Sequence, residues 1–213
     1  MAGAATARVL ETETTVVEFG GGPPSSPRAE PLISNAQLGV MMFIGAEVMF
    51  FAGLIGAFLV LRLSSEVWPP LSQPRLPVLV TGVNTVVLLA SGMTMHMALQ
   101  AIRSNDLKRL VKWLGVTGLL GFVFLGIQGY EWVRLVQFGL TMTSGLYGST
   151  FYALIGLHGL HVLGGLVWVS IVYGKARGRS YSSGSMTGVE VCSMYWTFVV
   201  ALWPVLYGLV YLY

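Results

Sequence analysis

Residues 35–63 read NAQLGVMMFIGAEVMFFAGLIGAFLVLRL, an apolar run interrupted in its interior by one carboxylate, Glu47. A membrane-spanning helix needs about 20 mostly apolar residues, and this run exceeds that. Its Leu, Ile, Val and Phe side chains together supply about −4 to −8 kcal/mol of insertion free energy, against a cost of about +3 kcal/mol for one central carboxylate. The stretch therefore inserts into lipid despite Glu47.

Four further runs have the same character, at residues 77–102, 110–137, 147–173 and 187–213. The polar separators between them are short. The expected fold is an all-α membrane protein, a five-transmembrane-helix bundle over residues 34–213. Residues 1–33 are expected to form a flexible N-terminal tail, because Gly20-Gly21-Gly22-Pro23-Pro24 opposes helix and has little to bury. That tail also lacks the apolar core of a signal peptide.

Composition agrees. Apolar residues make up 54% of the 213 and charged residues 10%, where a soluble domain carries about 25% charge. The net charge of +3 reads as loop bias and not as a nucleic-acid footprint. Cys192 is the one cysteine, so neither a disulfide within the chain nor a Cys-x-x-Cys motif is possible.

Lys and Arg divide unevenly. Arg8, Arg28, Arg103, Lys108, Arg109, Lys112, Lys175, Arg177 and Arg179 fall on one side of the five spans, and Arg62, Arg75 and Arg134 on the other. Nine against three predicts a cytoplasmic N-terminus and a C-terminus outside. Glycines recur in the third and fourth spans, among them Gly115, Gly121, Gly159 and Gly165, and small residues let helix backbones approach closely in lipid.

Polar side chains inside spans are costly and therefore informative. Glu47 lies roughly 17 Å along the first helix, while His158 and His161 lie about 16 and 21 Å along the fourth, entered from the opposite end. The histidines are three residues apart and share a helical face. Matched depth places a Glu47 hydrogen bond on the fourth span, through His158 or His161, and a neutral Glu47 donating to His158 is the cheaper state. Two readings stand for Glu47, His158 and His161: a buried network able to exchange a proton, and a static polar clamp between helices. No metal site is expected, because zinc takes three or four ligands and the third histidine, His96, lies near the end of the second span. Haem would need a roomy pocket that glycine-rich packing does not offer. Gln128, Glu131 and Arg134 form an interfacial polar group near the end of the third span, with Glu131 and Arg134 spaced to pair. Glu190 opens the fifth span, where a carboxylate complements the helix dipole. Trp68, Trp113, Trp132, Tyr211 and Tyr213 read as an aromatic belt. No phosphate loop or nucleophile motif is present, and no catalytic residue is expected.

Several blocks in order carry a family resemblance: Gly45-Ala46-Glu47-Val48-Met49-Phe50-Phe51-Ala52-Gly53, Trp68-Pro69-Pro70, Asn84-Thr85-Val86-Val87-Leu88-Leu89-Ala90-Ser91-Gly92, the trio Gln128, Glu131 and Trp132, and Tyr147-Gly148-Ser149-Thr150-Phe151-Tyr152 running on to Gly156-Leu157-His158-Gly159-Leu160-His161. From about Gly39 onward the chain resembles subunit III of the haem–copper cytochrome c oxidases, in the shorter five-helix bacterial form. The resemblance implies a non-catalytic core subunit in the bacterial cell inner membrane. Its partners would be subunit I, as main contact, and subunit II, with haem and copper in the partner subunits and none bound by this chain. It implies bound phospholipid and a supporting role in sustained proton uptake. The last helix departs from the family pattern, with Thr197 where a His is usual and Val200 where an Asp is usual; Ser185 and Met186 replace a His pair. The alternatives are a divergent paralogue accompanying another haem–copper reductase, such as a nitric oxide reductase, and a small proton-conducting transporter using Glu47, His158 and His161.

Overall fold

The computed structural model describes residues 33–68, 70, 76–178 and 186–213. The expected tail, Arg8, Arg28, Pro69, Arg75, Arg179 and Ser185 lie outside these residues, apart from Ile33. Among the described residues all regular structure is helical, in five helices each long and apolar enough to cross a membrane: α1 (Asn35–Leu63), α2 (Val78–Arg103), α3 (Leu107–Gln137), α4 (Leu146–Arg177) and α5 (Thr187–Leu212). The protein is an integral membrane protein.

The ends of the helices have identifiable causes. Ser34 and Gln37 form a capping box: the Gln37 amide donates to Ser34 Oγ at 3.2 Å, and the Ser34 amide donates to Gln37 Oε1 at 2.9 Å. Asp106 caps α3, accepting from the Arg109 amide at 3.0 Å. This cap starts α3 at Leu107, ahead of the apolar run, so Lys108 and Arg109 lie on a polar first turn. Likewise α4 runs past its apolar part to Arg177. The α2–α3 connection turns through Asn105, whose φ of 56° is a left-handed conformation that asparagine tolerates better than most residues.

Successive helices run up and down. Gln37, Arg103 and Glu190 meet at one end, Gln37 Nε2 donating to Glu190 Oε2 at 2.8 Å and Arg103 lying 3.8 Å from Glu190 Oε1. At the other end Arg62 donates to the Leu209 carbonyl at 3.3 Å and Tyr207 to the Val78 carbonyl at 3.0 Å.

The core is built on α5. Trp196 and Trp203 are wholly buried. Their indole N–H groups donate to Ser91 Oγ at 3.2 Å and Thr85 Oγ1 at 2.8 Å, which satisfies the polar edge of a ring inside an apolar interior. Trp196 is wedged between α3 and α4. A methyl group added at Gly121 would lie 2.7 Å from its ring, and one at Gly165 would lie 3.0 Å from it. Val200 is buried against Gly92, an apolar contact. α1 is attached differently: of its residues only Phe51 and Phe58 are buried, and much of its length is an open apolar face.

Candidate polar site between the helices

Two segments of α4 create the site. Residues Tyr152–Gly156 form a π-helical turn, and the α-helical part from Leu157 follows it directly. π turns insert a residue into a helix and are frequent at functional sites. The next turns carry His158 and His161.

His161 faces α1. Its Nδ1 lies 2.7 Å from the Leu157 carbonyl oxygen and its Nε2 lies 3.0 Å from Glu47 Oε2. A carbonyl only accepts, so Nδ1 must carry a proton. Two forms of the pair then remain. A neutral His161 accepts at Nε2 from a protonated Glu47, or an imidazolium donates from Nε2 to the Glu47 carboxylate. In both forms one proton is shared across the 3.0 Å contact. Both side chains are 17% exposed, at the margin of the bundle and not at its centre. Phe51 makes a T-shaped contact with the imidazole, ring centroids 5.1 Å apart, and the Tyr195 hydroxyl donates to the His161 carbonyl at 3.3 Å.

His158 points elsewhere. Of the two expected partners of Glu47 it is the one matched in depth, but the structure turns it into the core with no exposure. Residues three apart on a helix differ by about 60° in direction, enough to send one imidazole to α1 and the other inward. There His158 stacks on Trp203, with centroids 4.9 Å apart and planes at 27°, and makes a T-shaped contact with Phe124 at 6.5 Å.

The second polar group is also divided. Gln128 and Glu131 are 3% and 5% exposed, so both side chains are enclosed by the bundle. Gln128 Nε2 donates to the Tyr211 hydroxyl at 3.2 Å. Arg134 is exposed, and among the described residues no ion pair joins it to Glu131. Its guanidinium instead lies over Tyr130 and Phe138, at 6.0 and 5.9 Å from the ring centroids. Three-residue spacing again separates the two directions.

Sequence reasoning missed Asn84 and misread Tyr211. Asn84 is 1% exposed, and its Nδ2 donates to the Phe124 carbonyl of α3 at 3.1 Å. An amide seven residues into an apolar helix is a signal of the same kind as Glu47. Tyr211 is buried and hydrogen-bonded, whereas Tyr213 is 61% exposed and suits the belt. Among the described residues no group of three or more His, Cys, Asp or Glu side chains is gathered as a metal centre would need.

At the end where α1, α2 and α5 converge, a groove of about 510 Å³ is lined by polar residues, among them Gln37, His96, Arg103 and Glu190, and by apolar ones, among them Met41 and Phe198. Arg103 and Glu190 form its charged rim.

Residues 28–213 match the family model described as cytochrome c oxidase subunit III. The chain is 43% identical over 175 residues to cytochrome c oxidase subunit 3 of Synechocystis, covering 82% of this chain and 74% of that protein. It is 36% identical over 191 residues to the protein of the same name from Bacillus subtilis, covering 89% and 92%. With cytochrome c oxidase subunit 3 of Thermostichus vulcanus the identity is 34% over 176 residues, covering 82% and 86%.

Proposed function

The chain belongs to the cytochrome c oxidase subunit III family, and from that premise we propose that it is a core subunit that supports a respiratory oxidase without performing its chemistry. Haem and copper reside in the partner subunits. Subunit I is the main contact and subunit II a second one. The chain holds phospholipid and sustains proton uptake by the catalytic subunit. The match across residues 28–213 carries this reading. The departures at Thr197 and Val200 are compatible with it: Thr197 is exposed and Val200 packs on Gly92, so neither replacement strands a buried charge.

The geometry supports a specific role for the Glu47–His161 pair, that of a latch. α1 has two buried side chains and is tied by polar contacts at three heights: Gln37 to Glu190, Glu47 to His161, and Arg62 to Leu209. Lipid tails are as apolar as leucine, so apolar contact alone gives little reason for a helix to stay docked in a membrane. A hydrogen bond at mid-helix does. The open face of α1, with Met42, Met49, Val60 and Leu63 all more than half exposed, suits lipid or a partner subunit. The groove at Gln37, His96 and Arg103 suits a phospholipid, with the headgroup at the Arg103 rim and a chain along Met41 and Phe198.

The basic end of the bundle lies in the cytoplasm, as the Lys and Arg asymmetry favours, and the location is the bacterial cell inner membrane. The test is to assemble the oxidase with and without this chain and follow turnover. Intact haem spectra in both, with activity lost sooner during turnover when the chain is missing, supports the reading. Equal lifetimes, or loss of the haem itself, contradicts it.

A further inference from the structure

The interior of the bundle holds a second polar site, away from the Glu47–His161 pair and unassigned in the reading above. His158 is wholly buried, and neither Nδ1 nor Nε2 meets a hydrogen-bond partner from the chain. Asn84, 1% exposed, leaves Oδ1 in the same condition. Its amide orientation is fixed, since Nδ2 must face the Phe124 carbonyl 3.1 Å away. The two residues flank the same pair of rings. Phe124 accepts from Asn84 through its backbone, and its ring meets that of His158 nearly at right angles. Trp203 stacks on His158 and donates to Thr85, the neighbour of Asn84.

A neutral imidazole has one N–H to donate and one nitrogen lone pair to offer. Buried groups of this kind are almost always satisfied, by protein or by ordered water. Trp203 cannot serve, because its N–H already points to Thr85 Oγ1 at 2.8 Å and indole has no acceptor. What the site requires is a small molecule that accepts from one atom and donates to others. Water does this, and buried waters typically make about three hydrogen bonds to such groups.

We propose that the α2, α3, α4 and α5 core binds ordered water at His158. Water accepts from the protonated ring nitrogen and donates to the unprotonated one, and Asn84 Oδ1 accepts from ordered water in the same core. The inference stands on these residues and does not depend on the identity of the partner subunits. It makes His158 a hydrated group within the membrane, and it explains how a histidine sits on Trp203 where a phenylalanine would fill the same stack.

The test is a density map of the intact purified complex, at a resolution that shows ordered water elsewhere in it, for the parent and for His158→Phe. The expected result in the parent is a peak about 3 Å from a His158 ring nitrogen, with a peak at the same distance from Asn84 Oδ1. Both peaks, or the one nearest position 158, are lost in His158→Phe. The proposal is overturned if the parent shows no peak at either group, or if the imidazole nitrogens are met by side chains or backbone. It is equally overturned if the peak persists unchanged in His158→Phe. Should that variant fail to assemble, the parent map alone decides, and Asn84→Leu supplies the second comparison.

Discussion

The Glu47 carboxyl lies 3.0 Å from His161 Nε2, joining α1 to α4 within the apolar length of both helices. Because the other ring nitrogen donates to Leu157, the imidazole is held on both sides and the latch has a fixed direction.

Replacing Glu47 distinguishes hydrogen bonding from charge. In Glu47→Gln the amide N–H donates to His161 Nε2, so assembly, haem spectrum and thermal stability of the complex should stay near the parent. Glu47→Leu leaves Nε2 without a partner, at a cost of about 1–3 kcal/mol. Thermal unfolding of the two assembled variants checks this. Equal stability of Glu47→Leu and the parent would show that the latch holds nothing.

Trp196 sets a steric limit between α3 and α4. Gly121→Ala brings a methyl group 2.7 Å from its ring, closer than carbon atoms tolerate, and overpacking of this kind costs about 1–3 kcal/mol. Gly126→Ala, on the same helix, meets nothing within 4 Å and should be neutral. Melting temperatures of the two complexes should differ accordingly.

Much of the fold was legible in the sequence, and the reason is the membrane itself. Lipid forces long apolar runs, so five spans followed from hydropathy, and Asn35–Leu63 has the bounds the sequence indicates. The start of α3 and the end of α4 differ because a cap and a basic turn extend these helices beyond lipid, where apolar content no longer marks them. The site was harder. Depth along a helix is readable from residue number, and it brought Glu47 and the α4 histidines to one level. Direction around the helix is not, because α4 contains a π turn just before His158 that resets its phase. In α3, which has no π turn, the three-residue spacing alone separated Glu131 from Arg134. Tyr211 was obscured by its position near the chain's end, where a tyrosine usually meets the interface.

The Arg103–Glu190 contact should contribute little. Its distance is 3.8 Å and the Arg103 side chain is 58% exposed, and exposed pairs are worth about 0.2–1 kcal/mol. Arg103→Ala should therefore leave the melting temperature nearly unchanged. Glu190→Ala should cost more, since Gln37 also loses its acceptor at 2.8 Å. The order of the two shifts is the check.

Orientation can be read by thiol labelling. Native Cys192 is 1% exposed and should stay silent. A cysteine at Lys108 should react only with reagent that reaches the cytoplasm, and one at Tyr213 with impermeant reagent added outside. The reverse pattern would invert the bundle and remove the basis for a cytoplasmic Arg103 rim.

The most direct measurement is purification of the complex through a tag on this chain in mild detergent, followed by an optical spectrum and identification of the accompanying chains. The expected result is a stable assembly that contains haem in a partner subunit, with this chain free of haem and copper once separated. Recovery of the chain alone, with no haem-bearing partner, or of metal bound by the separated chain and lost on replacing His158 or His161, would contradict its role as a supporting oxidase subunit.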